Sequence, residues 1–494
     1  MSSKQPAQGT FDRHHAVVIG GSMAGLLAAR VLSDHFEQVT MIERDRLTRD
    51  AEPRKGVPQG RHVHGLLARG AVIMREYFPD LFRNLSQDGA ILVSLEDIRR
   101  NQLGVWMAPH PSPVKALFQS RPFLEQHMRA QLAARDNVRI MDACEVSQLC
   151  AHNDRITGVV LRYRTGEQHE EALSADLVVD TSGRGSRAPQ WLNSLGYGNV
   201  QETSVKIDIG YATRIYRCPA HLPAGWKGLF IYGRPPDDKR GGVIFPIQGG
   251  YWMVTLIGSL RDYPPDDEAG FLEFARSLAQ PDLYEAIKDV EPVTTIAVYK
   301  YSANRWRHYE RMERLLEGFI IMGDAACSFN PVYAQGMSVA AIEAQSLDRC
   351  LREQEMFAGN NGLVGFTQRF QQAIARDIKT PWLLSTSEDL RYPGTEGKRS
   401  LSIRLLNRYI RRVIELTASE PRVTATLLRV RNLLKPLSTL FQPRIILAVL
   451  RQELAAFRRQ PTMTAPASEA SMHQVKQRDQ STGATSRLVE RTGA

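Results

Sequence analysis

No stretch of this sequence stays apolar long enough to cross a membrane as a helix, which takes about 20 consecutive apolar residues. The opening residues, MSSKQPAQGTFDRHH, carry no apolar core, so no secretory leader is expected. Cysteine is scarce and odd in number. Cys144, Cys150, Cys218, Cys327 and Cys350 have no metal-type spacing, which argues against a disulfide scaffold and points to a reducing, cytoplasmic setting. There is no phosphate-binding Walker loop, no zinc-finger spacing and no readable Ser–His–Asp arrangement, and no metal site is expected. Acidic residues are depleted from one region in particular. Between Lys398 and Arg459, fourteen Lys or Arg face three Glu and no Asp, enough to account for the whole formal charge of +10. A basic block confined to one helical segment does not suit nucleic acid. It leaves two readings, peripheral contact with an anionic membrane surface and a solvated helical face.

At 494 residues the chain is too long for one core. Ala16 to Ile19 read as an apolar strand, Gly20 and Gly21 as a turn, Met23 to Leu32 as a helix, and Val39 to Ile42 as a second strand. Another apolar strand, ADLVVD, ends at Asp180; a third, GFIIMGD, ends at Asp324, with a helix beginning near Gly336. Between these anchors Gly228 to Gly258 alternates in a strand-like way, broken by RPPDDKRGG and QGG, which predicts antiparallel hairpins. The fold class is therefore α/β. A discontinuous Rossmann-like nucleotide-binding domain is expected over 14–83, 119–187 and 300–376, with an inserted antiparallel-sheet substrate domain over 84–118 and 188–299. A helical C-terminal region (377–460) and a polar, disordered tail (461–494) complete the expected layout.

Gly20-Gly21-Ser22-Met23-Ala24-Gly25 is a G-x-S-x-x-G variant of the dinucleotide fingerprint. Gly20 permits the tight turn, Gly25 lets helix and strand approach, and the helix N–H groups meet a pyrophosphate. Ser22 replaces the middle glycine with another small residue. Glu43 stands where a carboxylate accepts ribose hydroxyls. That unit does not distinguish FAD from NAD. GDAACSFNPVYAQGMSVAAIEA does, because Asp324 can accept from a polyol such as a ribityl chain and the helix near Gly336 aims N–H groups at the edge where a flavin gains charge.

Three separated blocks resemble the p-hydroxybenzoate-hydroxylase-like FAD-dependent monooxygenases: the fingerprint with Glu43, RKGVPQGRHVHGLL, and the Gly-Asp block. The resemblance implies Arg54 at the pyrophosphate, the Gly56 and Val57 backbone at the ring's pyrimidine edge, and Arg121 of SRPFLEQHMR at the helix start. It implies Asp324 on the ribityl chain, Pro331 beside the ring, and Gly336, Met337 and Ser338 at its electron-accepting end. RKGVPQGRHVH, GRGSRAPQWLNSLG, YATR, ANRW and FNPVYAQGMS look like a closer subset, the flavin-dependent epoxidases of polyether antibiotic biosynthesis and their bacterial relatives. The activity this resemblance implies is transfer of one oxygen atom from dioxygen, through a flavin C4a-hydroperoxide, to a lipophilic carbon skeleton by alkene epoxidation or hydroxylation. Ser182-Gly183 stands where the wider family has Asp-Gly, and no second G-x-G-x-x-G appears. NAD(P)H is therefore the expected electron source either directly or through a separate reductase. The paired tyrosines that activate a phenol have no traceable counterparts.

Phe245, Phe329 and Tyr333 are the candidate substrate contacts. His62 and His64 are expected to shape the flavin-side loop, and Cys327 to be a small buried residue near the ring. No catalytic acid or base is assigned, since electrophilic oxygen transfer to an alkene needs little protein proton chemistry. The rival readings are a reductase or dehydrogenase on the same fold, a halogenase (the W-x-W-x-I-P motif is missing), and a non-catalytic flavin-binding accessory protein.

Overall fold

The computed structural model describes residues 13–109, 115–164, 169–219, 225–357 and 362–459. The predicted disordered tail lies outside them. Ala16, Val17, Val18 and Ile19 are apolar on both faces of their strand, a pattern that suits the middle of a parallel sheet covered on both sides. They form the centre of a five-stranded sheet ordered Phe319–Ile321, Leu177–Asp180, His15–Ile19, Gln38–Ile42, Val138–Met141, every neighbouring pair parallel. The register sets Ile19, Ile42, Asp180 and Ile321 level, so the residues after them gather at the carboxyl edge, where open α/β sheets bind ligands. Asp324 does not end its strand, as the sequence suggests, but stands three residues beyond it. Its strand stops at Ile321, and Gly323–Ala325 is a single tight turn.

Helix α1 (Met23–Leu32) follows the fingerprint turn, α2 (Ala68–Tyr77) follows the RKGV-containing loop, and α3 (Arg121–Ala133) carries Arg121. The long α4 (Gly336–Phe357) packs on α1, α2 and α5 (Phe366–Asp389). Where α2 meets α4, a Cβ on Gly70 would lie 2.5 Å from Ser338 Oγ and 2.8 Å from its Cα. Ser338 is fully buried, and its hydroxyl accepts the Leu67 N–H at 3.1 Å. Gly70→Ala is therefore expected to cost about 1–3 kcal/mol as overpacking forces the helices apart. A lowered urea midpoint at constant m-value is the signature; an unchanged midpoint would show that the contact yields freely.

The second large sheet has eight strands. Their order is Cys327–Ser328, Ala297–Arg307, Glu202–Arg217, Tyr251–Gly258, Arg240–Ile247, Gly228–Ile231, Ile98–Gln102, Val105–Trp106. The hairpins expected between Gly228 and Gly258 are present and antiparallel. Ala297–Arg307 and Cys327–Ser328, placed largely or wholly by the sequence in the nucleotide-binding segment 300–376, complete this sheet instead. The hairpins are also buried on both faces rather than on one. Trp252 and Leu256 pack against Phe271, Phe274 and Leu283 on one side, while Phe245, Met253 and Ile257 face the other.

The basic C-terminal block folds as α6 (Leu401–Leu416), α7 (Pro421–Arg431) and the helix Pro443–Arg459. Ile410, Val413, Ile414, Leu427 and Val430 turn inward to a small core of their own, while Arg404, Arg408, Arg411, Arg422 and Arg429 face outward, with Leu401 and Leu405 exposed among them. The chain up to Val449 is one compact unit; from Leu450 the described residues are the remainder of that last helix. Among the described residues no helix is long and apolar enough to cross a membrane.

Candidate functional site

A cleft of about 240 Å³ opens at the carboxyl edge of the parallel sheet. Its floor is the fingerprint turn. Gly20 takes φ +106°, and a Cβ there would stand 2.9 Å from the Thr181 carbonyl oxygen. Gly25 does not line the cleft. It is where α1 crosses the turn, and a Cβ would fall 1.8 Å from Gly20 O. The buried Glu43 carboxylate accepts the N–H groups of Gly21 at 2.8 Å and Asp45 at 2.9 Å and reaches the cleft wall.

Arg54 is not in that wall. Its guanidinium lies beneath the turn, 3.0 Å from Glu43 and 2.9 Å from Glu125, and donates to Gly21 O at 3.2 Å. The two buried carboxylates draw the arginine inward, which is why it does not stand at the cleft as expected. Glu125, absent from the sequence-derived candidates, ties the group together. It accepts from Ser22 Oγ at 2.6 Å and from Arg121 Nε at 2.9 Å, while Arg121 Nη2 donates to Ser22 Oγ at 2.8 Å. Burial alone would raise the Glu125 pKa. The charges of Arg121 and Arg54, with hydrogen bonds from Ser22 and Arg54, overcome that and hold it at about 2. The arrangement also accounts for serine at the middle-glycine position. The signal for Glu125 was its place on α3, one turn after Arg121, with which it pairs at i,i+4.

Gly20, Ser22, Glu43, Gly56, Val57, Arg121, Asp324, Pro331, Gly336 and Met337 all line the cleft; Ser338 lies behind it against Gly70. The Gly56 N–H is spent on Asp45 at 2.6 Å and that of Val57 on Arg54 O at 3.2 Å, so neither points at a ligand in this structure. Among the described residues no hydrogen bond reaches the Asp324 carboxylate. Burial raises its pKa, against the charges of Arg121 and Arg184.

A second, larger cavity of about 680 Å³ meets the cleft at Gln59, His64, Gly65, Pro331, Ala334 and Gln335, which line both. Phe245, stacked on Phe118 at 3.8 Å between ring centres, and Tyr333 stand in its wall. Phe329 does not; it lines the nucleotide cleft, because the Asn330–Pro331 turn reverses the chain between it and Tyr333. Cys327 is buried in the short strand paired with Trp306 and lines neither space. His62 and His64 have separate partners. His62 Nδ1 is 2.7 Å from Thr213 Oγ1, whereas His64 Nδ1 is 2.9 Å from the His62 carbonyl and its Nε2 is 3.2 Å from Arg121. Burial and the Arg61 charge lower His62 to about 4, and burial with Arg121 lowers His64 to about 3.

Sequence reasoning missed two further parts of the cavity. Leu406 and Ile410 of α6 and Leu427, Leu428 and Arg431 of α7 supply one wall. At the end of α5 the buried Asp389 accepts from Asn330 Nδ2 and Tyr333 Oη, each at 2.8 Å, and so clamps the Pro331–Tyr333 turn at the junction.

A flavin dinucleotide fits the cleft on observations of the chain itself. A Cβ-free turn lies under it, a carboxylate that no donor reaches among the described residues faces it, and the start of α4 opens into it beside Asp324. A family model described as "FAD binding domain" matches residues 13–369. Protein Rv3254 of Mycobacterium tuberculosis is 33% identical over 393 residues, covering 77% of this chain and 81% of that protein. Kynurenine 3-monooxygenase of Salinispora tropica is 24% identical over 370 residues, 69% of this chain and 73% of that one. The solved structure of the flavin-dependent brominase Bmp2 superposes with a TM-score of 0.63 at 13% identity, covering 90% and 100% of the two chains, a likeness of fold. With Glu43 and Asp324 in one cleft and that match spanning most of the chain, this protein belongs to the FAD-binding-domain family and is an FAD-dependent monooxygenase.

Proposed function

We propose that the protein inserts one oxygen atom from dioxygen into a lipophilic substrate seated in the larger cavity, with epoxidation of an isolated double bond as the reaction that suits the site best and hydroxylation next. The observation that carries this is the junction. A mostly apolar cavity of drug-sized volume opens onto the nucleotide cleft beside Pro331 and Gln335. FAD, when bound, supplies the activation of dioxygen. The chain's own residues hold and shield. Asp324 and the α4 N-terminus face the cofactor cleft, Arg121 adds positive charge, and the apolar walls keep water from the reacting carbon. Activating a phenol calls for a base working near neutral pH. His62 and His64, the histidines lining the cavity among the described residues, are held neutral with pKa values far below that and are already hydrogen-bonded. Asp389, raised by burial to about 6, lines neither space and is spent on Asn304, Asn330 and Tyr333. An alkene makes no such demand.

The reaction class is tested with labelled dioxygen, an electron donor and candidate lipophilic alkenes, reading product mass. One labelled oxygen per product is the expected result; donor consumption with unlabelled, reduced product would replace this reading with a reductase. The cofactor assignment has its own test. Asp324→Ala removes a charged acceptor worth about 1.5–3 kcal/mol, so FAD affinity of the apoprotein should fall roughly ten- to a hundredfold in a fluorescence titration. Unchanged affinity would take Asp324 off the ribityl chain.

A further inference from the structure

The larger cavity is apolar along most of its length, yet its charged lining is one-sided. Arg75, Arg83, Arg100, Lys115 and Arg431 stand in its wall against one carboxylate, Glu388. Arg83 and Lys115 are exposed together with Leu92, which marks where the cavity meets solvent. Arg100 and Arg431 lie deeper, on the strand Ile98–Gln102 and at the end of α7.

Glu388 is already committed to Arg391, which donates to it at 2.8 and 3.4 Å; Arg431 comes no closer than 4.0 Å and bonds instead to the Gln102 side chain. Arg100 has no ion pair among the described residues. Its contacts are long ones, to Leu95 O at 3.4 Å and Ile98 O at 3.5 Å, with the guanidinium 5.5 Å from the centre of the Phe230 ring. Burial, aided by the positive charge of Arg431, pushes Arg100 down to about 10, and burial lowers Arg431 as well. Both arginines are half-buried, and a guanidinium that faces a mostly apolar cavity gains when an opposite charge answers it. Among the described residues the cavity offers one carboxylate, Glu388, which is held by Arg391 and only distantly approached by Arg431, and none pairs with Arg100. The neutral Tyr232 lies close enough for its side chain to feel both arginines.

We propose that an anionic head group of the substrate, a carboxylate, completes this site by binding to Arg100 and Arg431, which makes the substrate a lipophilic acid rather than a hydrocarbon. The inference rests on the reading of this cavity as the substrate site and extends it. The head sits among Arg100, Arg431 and Tyr232, while Phe230, Phe245 and Ile410 line the walls available to the carbon chain. The cationic groups at the exposed side draw an acid in by its charge, a steering that weakens as salt is added.

The test uses the FAD-loaded protein and saturated probes that cannot react: dodecanoate, its methyl ester and dodecylammonium, each measured by equilibrium binding. Dodecanoate should bind roughly tenfold or more tightly than the ester, the strength of a charge-assisted pair. Arg100→Met and Arg431→Met should each erase most of that preference while leaving ester affinity within about twofold. Arg100→Glu should turn the preference towards dodecylammonium. FAD content and thermal midpoint establish that each variant is folded; should Arg431→Met fail there because it loses Gln102, the two Arg100 variants decide. Equal binding of acid and ester by the parent protein, or variants that weaken both alike, would overturn the anchor. The outcome is separable from the reaction class, since these probes report affinity and labelled dioxygen reports chemistry.

Discussion

A single methyl group at position 25 is expected to abolish tight FAD binding. In Gly25→Ala the new Cβ would sit 1.8 Å from Gly20 O and 2.9 Å from Thr181 Oγ1, distances at which something must move. Neither neighbour is a flexible side-chain end. Gly20 O belongs to the turn itself, and Thr181 Oγ1 is fixed by bonds to Ile19 O at 2.8 Å and Gly20 O at 3.1 Å. Relief requires α1 to shift away from the strand His15–Ile19, and α1 packs against α3 and α4 through residues with almost no exposure. Ordinary overpacking costs about 1–3 kcal/mol, and a backbone collision at the centre of a sheet–helix unit belongs at or above the top of that range. The same shift carries the helix N–H groups away from where a pyrophosphate would lie. FAD affinity should therefore drop by roughly a hundredfold or more. Flavin titration of the purified apoprotein measures it, with urea unfolding alongside. Near-normal affinity in a folded Gly25→Ala protein would mean that the dinucleotide does not rest on this turn.

Position 25 also shows which parts of the molecule the sequence made readable. Local rules sufficed wherever one short segment determines its own geometry. A positive-φ glycine at 20, a close approach at 25 and a carboxylate at the end of the next strand follow from spacing alone, and the parallel register then carries Glu43 and Asp324 to one edge. Readings failed where two distant side chains compete for a third. Arg54 was expected at a phosphate, but Glu43 and Glu125, eleven positions before it and seventy-one after it, hold it under the turn. The sequence marked 377–460 as helical without saying what its apolar residues pack against. Their face on α6 and α7 proves to be partly a cavity wall, so the basic block reads differently once Arg431 is seen to point inward while Arg429 points out. Phe329 and Tyr333 are four residues apart, yet a tight turn sends them to separate spaces. Binding-cavity shape is a tertiary property, and periodicity within one element carries little of it.

The stability of the fingerprint should prove acid-labile in a way traceable to Glu125. Its carboxylate is buried with Arg54 and Arg121 on either side and Ser22 donating to it, and it stays ionised down to about pH 2. In the unfolded chain a glutamate titrates near pH 4.3. A folded pKa below the unfolded one means that the group's stabilisation is complete above roughly pH 4.3 and is withdrawn as pH falls towards 2, about 3 kcal/mol in all. Glu125→Gln keeps the shape but strands two guanidinium groups, with Glu43 left to answer Arg54 and no carboxylate beside Arg121; removing one partner of a buried ion pair costs about 3–5 kcal/mol. At neutral pH the variant should thus unfold at a clearly lower urea concentration. Lowering the pH should then bring the two proteins together, because the parent loses what the variant never had. Between about pH 5 and pH 3 the gap should shrink by roughly 1–2 kcal/mol. Other carboxylates titrate in both proteins, so the difference isolates this one. A gap that stays constant across that range would show that Glu125 is held by packing and neutral hydrogen bonds, and the charge cluster under the turn would lose its role in fixing Ser22 and Arg121.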